Sequence, residues 1–117
     1  MTKIKLHPDL LVVASAMIRY ATFRRKQVEL DDTISPKDAV MCFIAAELSL
    51  EAAFGLMSDF VDAGLLTEDE GKMMIGEAMK VVMAPGSTYT QETANTDIAT
   101  IDRIGKELGL IPVPEKV

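Results

Sequence analysis

The chain has 117 residues with 12 Lys+Arg against 18 Asp+Glu, a formal net charge of -6. One Cys excludes an internal disulfide scaffold, and 49% hydrophobic residues exclude disorder over most of the length. With no Trp, four Phe, two Tyr and eight Met, the core of what should be one domain must be mainly aliphatic.

The charge is segregated. Residues 1–30 hold six cations against two anions (+4), residues 31–70 one cation against ten anions (-9), and residues 71–117 five cations against six anions (-1). Such polarity along a chain can guide self-association or an oppositely charged partner, or let neighbouring helices neutralise each other.

The first helix is expected over 8–28, with Pro8 in its first turn and Asp9 at the positive end of the helix dipole. Leu10, Val13, Ala14, Met17, Ala21 and Val28 recur at the spacing of a buried stripe. Between Leu10 and Ile18 the helix is apolar nearly all round, which predicts packing on more than one neighbour. Arg19 interrupts that run too early for it to span a bilayer. His7-Pro8-Asp9 similarly argues against a signal peptide built from Lys3, Lys5 and Ala14-Ser15-Ala16.

The second helix, 36–63, opens with Ser35 as cap, Pro36 in the first turn and Asp38 at the third position. Gly64 ends it. Its circumference is apolar apart from a line of Glu47, Glu51, Ser58 and Asp62, so we expect it to be central, covered by its own neighbours or by another subunit. Thr67 followed by Glu70 is a capping-box signature with Leu66 as the hydrophobic staple. It starts a third helix, 68–83, in which Gly71 and Gly76 imply close approach of a neighbouring backbone.

Residues 84–95 read as a polar, hydroxyl-rich loop. A fourth helix follows over 96–108, capped by Asn95 or Thr96, with Ile98, Ile101, Ile104 and Leu108 as its stripe. Pro112 and Pro114 make residues 110–117 an extended tail. The expected fold is a single all-α domain, a compact bundle of about four helices centred on the hairpin of helices two and three.

The residue inventory argues against an enzyme. The one His, His7, sits beside Pro8, and Cys42 lies in an apolar run where a thiol behaves as a small hydrophobe. Glu47 and Glu51 lack the accompanying Glu-x-x-His of helix-bundle metal sites, so neither a metal nor a cofactor is expected. A helix-turn-helix reading of 64–83 would carry Glu68, Asp69, Glu70 and Glu77 towards phosphates, the wrong sign for nucleic acid.

The richest cluster is the end of helix one: Arg19, Tyr20, Phe23, Arg24, Arg25 and Lys26. Four cations with two aromatics could hold a small anionic or phosphorylated ligand, with Thr88 and Tyr89 contributing. The same cations could instead neutralise Glu47 and Glu51. The leading functional expectation is a non-enzymatic, cytoplasmic interaction protein, an adaptor, assembly factor or inhibitor, that forms homo-oligomers through helices one and two. Glu47, Glu51, Asp59 and Asp62 are its candidate partner-binding residues, and no role at a membrane is expected.

Overall fold

The computed structural model describes residues 7–109. Four helices follow one another: α1 (Asp9–Leu30), α2 (Pro36–Asp62), α3 (Glu68–Met83) and α4 (Gln91–Glu107). They form an all-α bundle without strands among the described residues, flattened to 48 × 46 × 23 Å. The tail expected over 110–117 lies outside the described residues.

The local signals set the helix ends. Ser35 accepts a hydrogen bond from the Asp38 N–H at 3.1 Å and Pro36 occupies the first turn of α2. Thr67 and Glu70 form the reciprocal capping box of α3, at 3.0 and 3.1 Å. Gly64, at φ +75°, ends α2 in a Schellman motif: Leu65 N–H reaches the Phe60 carbonyl and Gly64 N–H that of Val61. Pro85 and Gly86, the latter at φ +73°, make the tight turn after α3, closed by the Ser87 N–H to the Ala84 carbonyl at 3.0 Å.

Two expectations change. The fourth helix begins at Gln91, so residues 91–95 are helical rather than loop. Thr90 and Thr93 supply its cap, each hydroxyl accepting from the other residue's backbone N–H. In place of Glu or Gln, a second Thr completes this box.

The centre is also elsewhere. α1 is the helix that packs on all three others, whereas α2 and α3 share few contacts. Small residues explain the choice: Ala14, Ile18 and Ala21 of α1 meet Ala46, Leu50, Ala53 and Met57 of α2, with Ala78 of α3 closing the cluster. Alanines let helix backbones approach, so α1 can accommodate neighbours on every side. A second cluster joins Phe23, Val82, Tyr89 and Ala94 at the far end of α1. Neither Gly71 nor Gly76 is required by a close neighbour: a Cβ at Gly71 would meet Leu66 at an ordinary 3.7 Å, and one at Gly76 would meet nothing.

Candidate functional site

The basic end of α1 divides its cations between different tasks. Arg19 turns to α4 and grips Asp97 at two points, Nε to Oδ2 and Nη2 to Oδ1, both 3.0 Å. Tyr89 donates its hydroxyl to the same Oδ2 at 2.6 Å. The two hydrogen bonds from Arg19 raise the guanidinium's proton affinity despite its partial burial. Burial, reinforced by the bond to Asp97, holds the Tyr89 phenol well above its ordinary range. This trio is a structural network in which both oxygens of the Asp97 carboxylate accept hydrogen bonds from protein, Oδ1 from Arg19 and Oδ2 from Arg19 and Tyr89.

Arg25 points the other way and pairs with Glu47 at 3.2 Å, the neutralising contact between α1 and α2. Both partners are well exposed, so the pair contributes little to stability. Lys26 donates to the Val82 carbonyl at 3.0 Å, bringing a cation to the negative end of α3. Arg24 lies over the Tyr20 ring, 5.2 Å from its centroid. It donates through Nε to the Tyr20 hydroxyl and through Nη1 to Gln27. Phe23 is buried and meets Tyr89 edge to face, ring centroids 5.2 Å apart.

The structure therefore brings Phe23, Arg24, Lys26 and Tyr89 together and separates Arg19 and Arg25 from them. The four line a cleft of about 610 Å³, whose remaining apolar wall is Leu30, Ile34 and Cys42. Cys42, half-buried, is thus a cleft residue as well as a small hydrophobe. Asp31 is at its edge, with Oδ1 accepting from the backbone N–H and hydroxyl of Thr33; those bonds lower its pKa. Thr88 is exposed and does not line the cleft.

Asp97 escaped the sequence reading, although a signal was present. It occupies the stripe that carries Ala94, Ile101 and Ile104, and a carboxylate on an apolar stripe requires a partner.

The second candidate surface is the outside of α2. Its inner face, Ala46, Leu50, Ala53, Met57 and Phe60, is buried. The opposite face leaves Val40 at 55%, Met41 at 60%, Ile44 at 50% and Leu48 at 62% exposure, with Phe43 and Phe54 on one flank. Glu51, Asp59 and Asp62 are exposed on the same helix. By length and composition α2 is also the one helix among the described residues able to cross a membrane. Its inner face packs against α1. No group of His, Cys, Asp and Glu suited to a metal ion occurs among the described residues.

No protein-family model, curated protein or solved structure matches the chain.

Proposed function

We propose that the protein is a non-catalytic interaction protein that works as a pair of identical chains, joined through the outer face of α2. The observation that carries this reading is the face itself. Four large apolar side chains lie on it, each at least half exposed. The largest apolar patch of an ordinary monomer covers about 300–600 Å² and often marks a binding site. Because α1 is enclosed by three helices, it has little surface left to share, and the expected use of helices one and two narrows to α2.

A second copy fits this face better than an arbitrary partner does, because the face is complementary to itself. At 3.6 residues per turn, Lys37, Ile44, Leu48, Gly55 and Asp62 fall along one line of α2. Placed antiparallel about the middle of the helix, Lys37 stands opposite Asp62 of the other copy and Ile44 opposite Gly55. In the same register Leu48 stands level with Glu51 of the other copy, whose carboxylate reaches past it to solvent. Ile44 thus meets a small residue where the helices cross, and the ends exchange opposite charges. Gly55 supports the same arrangement from within the protomer. Glycine inside a helix costs about 1 kcal/mol relative to Ala, yet a Cβ at Gly55 meets nothing within 4 Å. A close second helix supplies the reason that the protomer lacks.

Light scattering on the eluting 117-residue chain tests the pairing. The expected mass is twice the 12.8 kDa of one chain, falling to one chain in Leu48→Glu and Ile44→Glu. Lys37→Glu and Asp62→Lys should each weaken the pair, and their combination should restore it. A wild-type monomer at high micromolar concentration, or a charge swap without effect, overturns the reading. Pull-down with the dimeric and monomeric forms then separates adaptor, assembly and inhibitor roles.

A further inference from the structure

We propose that the cleft at the end of α1 binds an organic anion with an apolar body, such as a carboxylate or phosphate ester carried on an aliphatic chain. Three observations converge on it. Its volume, about 610 Å³, lies within the range of small-molecule sites, about 300–1,000 Å³. About half of its wall is apolar, formed by Phe23, Leu30, Ile34, Cys42 and Tyr89. At its edge stand Arg24 and Lys26, neither of which forms an ion pair among the described residues.

Within the basic cluster of α1, that last point separates Arg24 and Lys26 from Arg19 and Arg25. Arg19, Arg25, Arg103 and Lys106 each hold a carboxylate, at 3.0, 3.2, 3.2 and 2.9 Å. Arg24 and Lys26 form no ion pair among the described residues. Neutral groups occupy only part of their donors: Tyr20 and Gln27 take Nε and Nη1 of Arg24, leaving Nη2, and Val82 takes one hydrogen of the Lys26 ammonium. The neighbouring carboxylate, Asp31, is turned to Thr33. The contacts that remain fix the two cations in place, so little side-chain freedom is lost when an anion arrives. Both side chains are half-buried, which strengthens a charge-assisted hydrogen bond relative to one in open water.

The ligand class follows from the two halves together. Inorganic phosphate would satisfy the cations but leave the apolar wall wet. An uncharged alcohol would cover the wall but leave the donors as they are. Decanoate is the simplest probe that does both.

Two local reporters read the outcome in the full chain. Cys42 is the only cysteine and lines the cleft, so alkylation by iodoacetamide reports its access. The chain has no Trp and two Tyr; one lines the cleft and the other contacts Arg24, so intrinsic fluorescence reports the same place. Decanoate should slow Cys42 alkylation and shift the tyrosine emission at concentrations where decanol and inorganic phosphate do not. Arg24→Gln combined with Lys26→Gln, its fold checked by circular dichroism, should weaken the effect at least about tenfold, the equivalent of one charge-assisted hydrogen bond. Protection by decanol equal to that by decanoate, by phosphate alone, or undiminished in the double variant overturns the proposal. Greater protection by anionic phospholipid vesicles than by free decanoate overturns it in favour of a lipid surface. The double variant should leave the mass in solution unchanged, so failure here is distinguishable from failure of the α2 pairing.

Discussion

Arg19 and Asp97, 78 residues apart in sequence, are locked by two parallel hydrogen bonds of 3.0 Å each. Their side chains are 25% and 11% exposed, so the pair joins α1 to α4 in a largely dry place. Tyr89, just before α4, adds its hydroxyl to the same carboxylate. The energetics of such a pair are asymmetric. Replacing both charges by apolar groups can be neutral, whereas removing one strands the other.

Asp97→Asn should accordingly cost about 3 kcal/mol, because Arg19 then keeps a charge without a counter-ion. Urea denaturation followed by circular dichroism measures it. Arg19→Met with Asp97→Leu should recover a large part of the loss, and an Asn variant as stable as wild type would show that the pair is solvent-screened.

Alkaline stability depends on Tyr89. Its folded pKa is raised above the ordinary value, so the folded chain holds a proton that the unfolded chain releases above about pH 10. The stability contributed by this group is fully present below that pH and is lost as pH rises beyond it. Tyr89→Phe should lower stability at neutral pH by about 1–2 kcal/mol and flatten its decline above pH 10. The measurement is a series of urea midpoints in both chains.

On the acid side the sign is reversed. Bonds from Thr67, the backbone N–H first, lower the pKa of Glu70. This carboxylate stabilises the folded chain above the ordinary carboxylate range, and the contribution is lost as pH falls through its folded value. In Glu70→Gln the drop in stability below about pH 4 should be shallower than in wild type. Thermal midpoints across an acid series compare the two chains, and parallel curves would exclude a role for the cap in acid stability.

Ile18 is fully buried where α1 meets its neighbours. Ile18→Ala should cost about 3–4 kcal/mol and Ile18→Val about 1. Because small alanines surround the position, neighbouring side chains have little reach with which to fill the void. A cost near 1 kcal/mol for the Ala variant would mean that α2 and α3 close onto it.

The legible parts of the fold were those written in local chemistry. Ser35-Pro36, Thr67 with Glu70, and Gly64 set helix ends through bonds that span at most five residues, and α2 and α3 began where these signals stand. The apolar circumference of α1 between Leu10 and Ile18 likewise announced more than one neighbour. The start of α4 was missed because Thr93 replaced the acid of a usual capping box and the polar segment lacked a stripe. The centre was misplaced for another reason. Hydropathy favours α2, but close packing depends on side-chain size, and the alanines of α1 carried that information.

The candidate site was half legible. Composition pointed to the cluster Arg19 to Lys26, but only three-dimensional neighbours decide which cation is spent. Arg19 and Arg25 went to Asp97 and Glu47, whereas Arg24 and Lys26 were left at the cleft. Leu30, Ile34 and Cys42, supplied by the end of α1, the turn and the start of α2, lay outside any local pattern of charge.

The position of α1 also bears on how the bundle assembles during synthesis. Because α1 leaves the ribosome first and contacts every later helix, each of α2, α3 and α4 emerges after the element on which it docks. The Arg19–Asp97 clasp, which joins residues 78 apart, closes a long loop and so carries a large closure entropy.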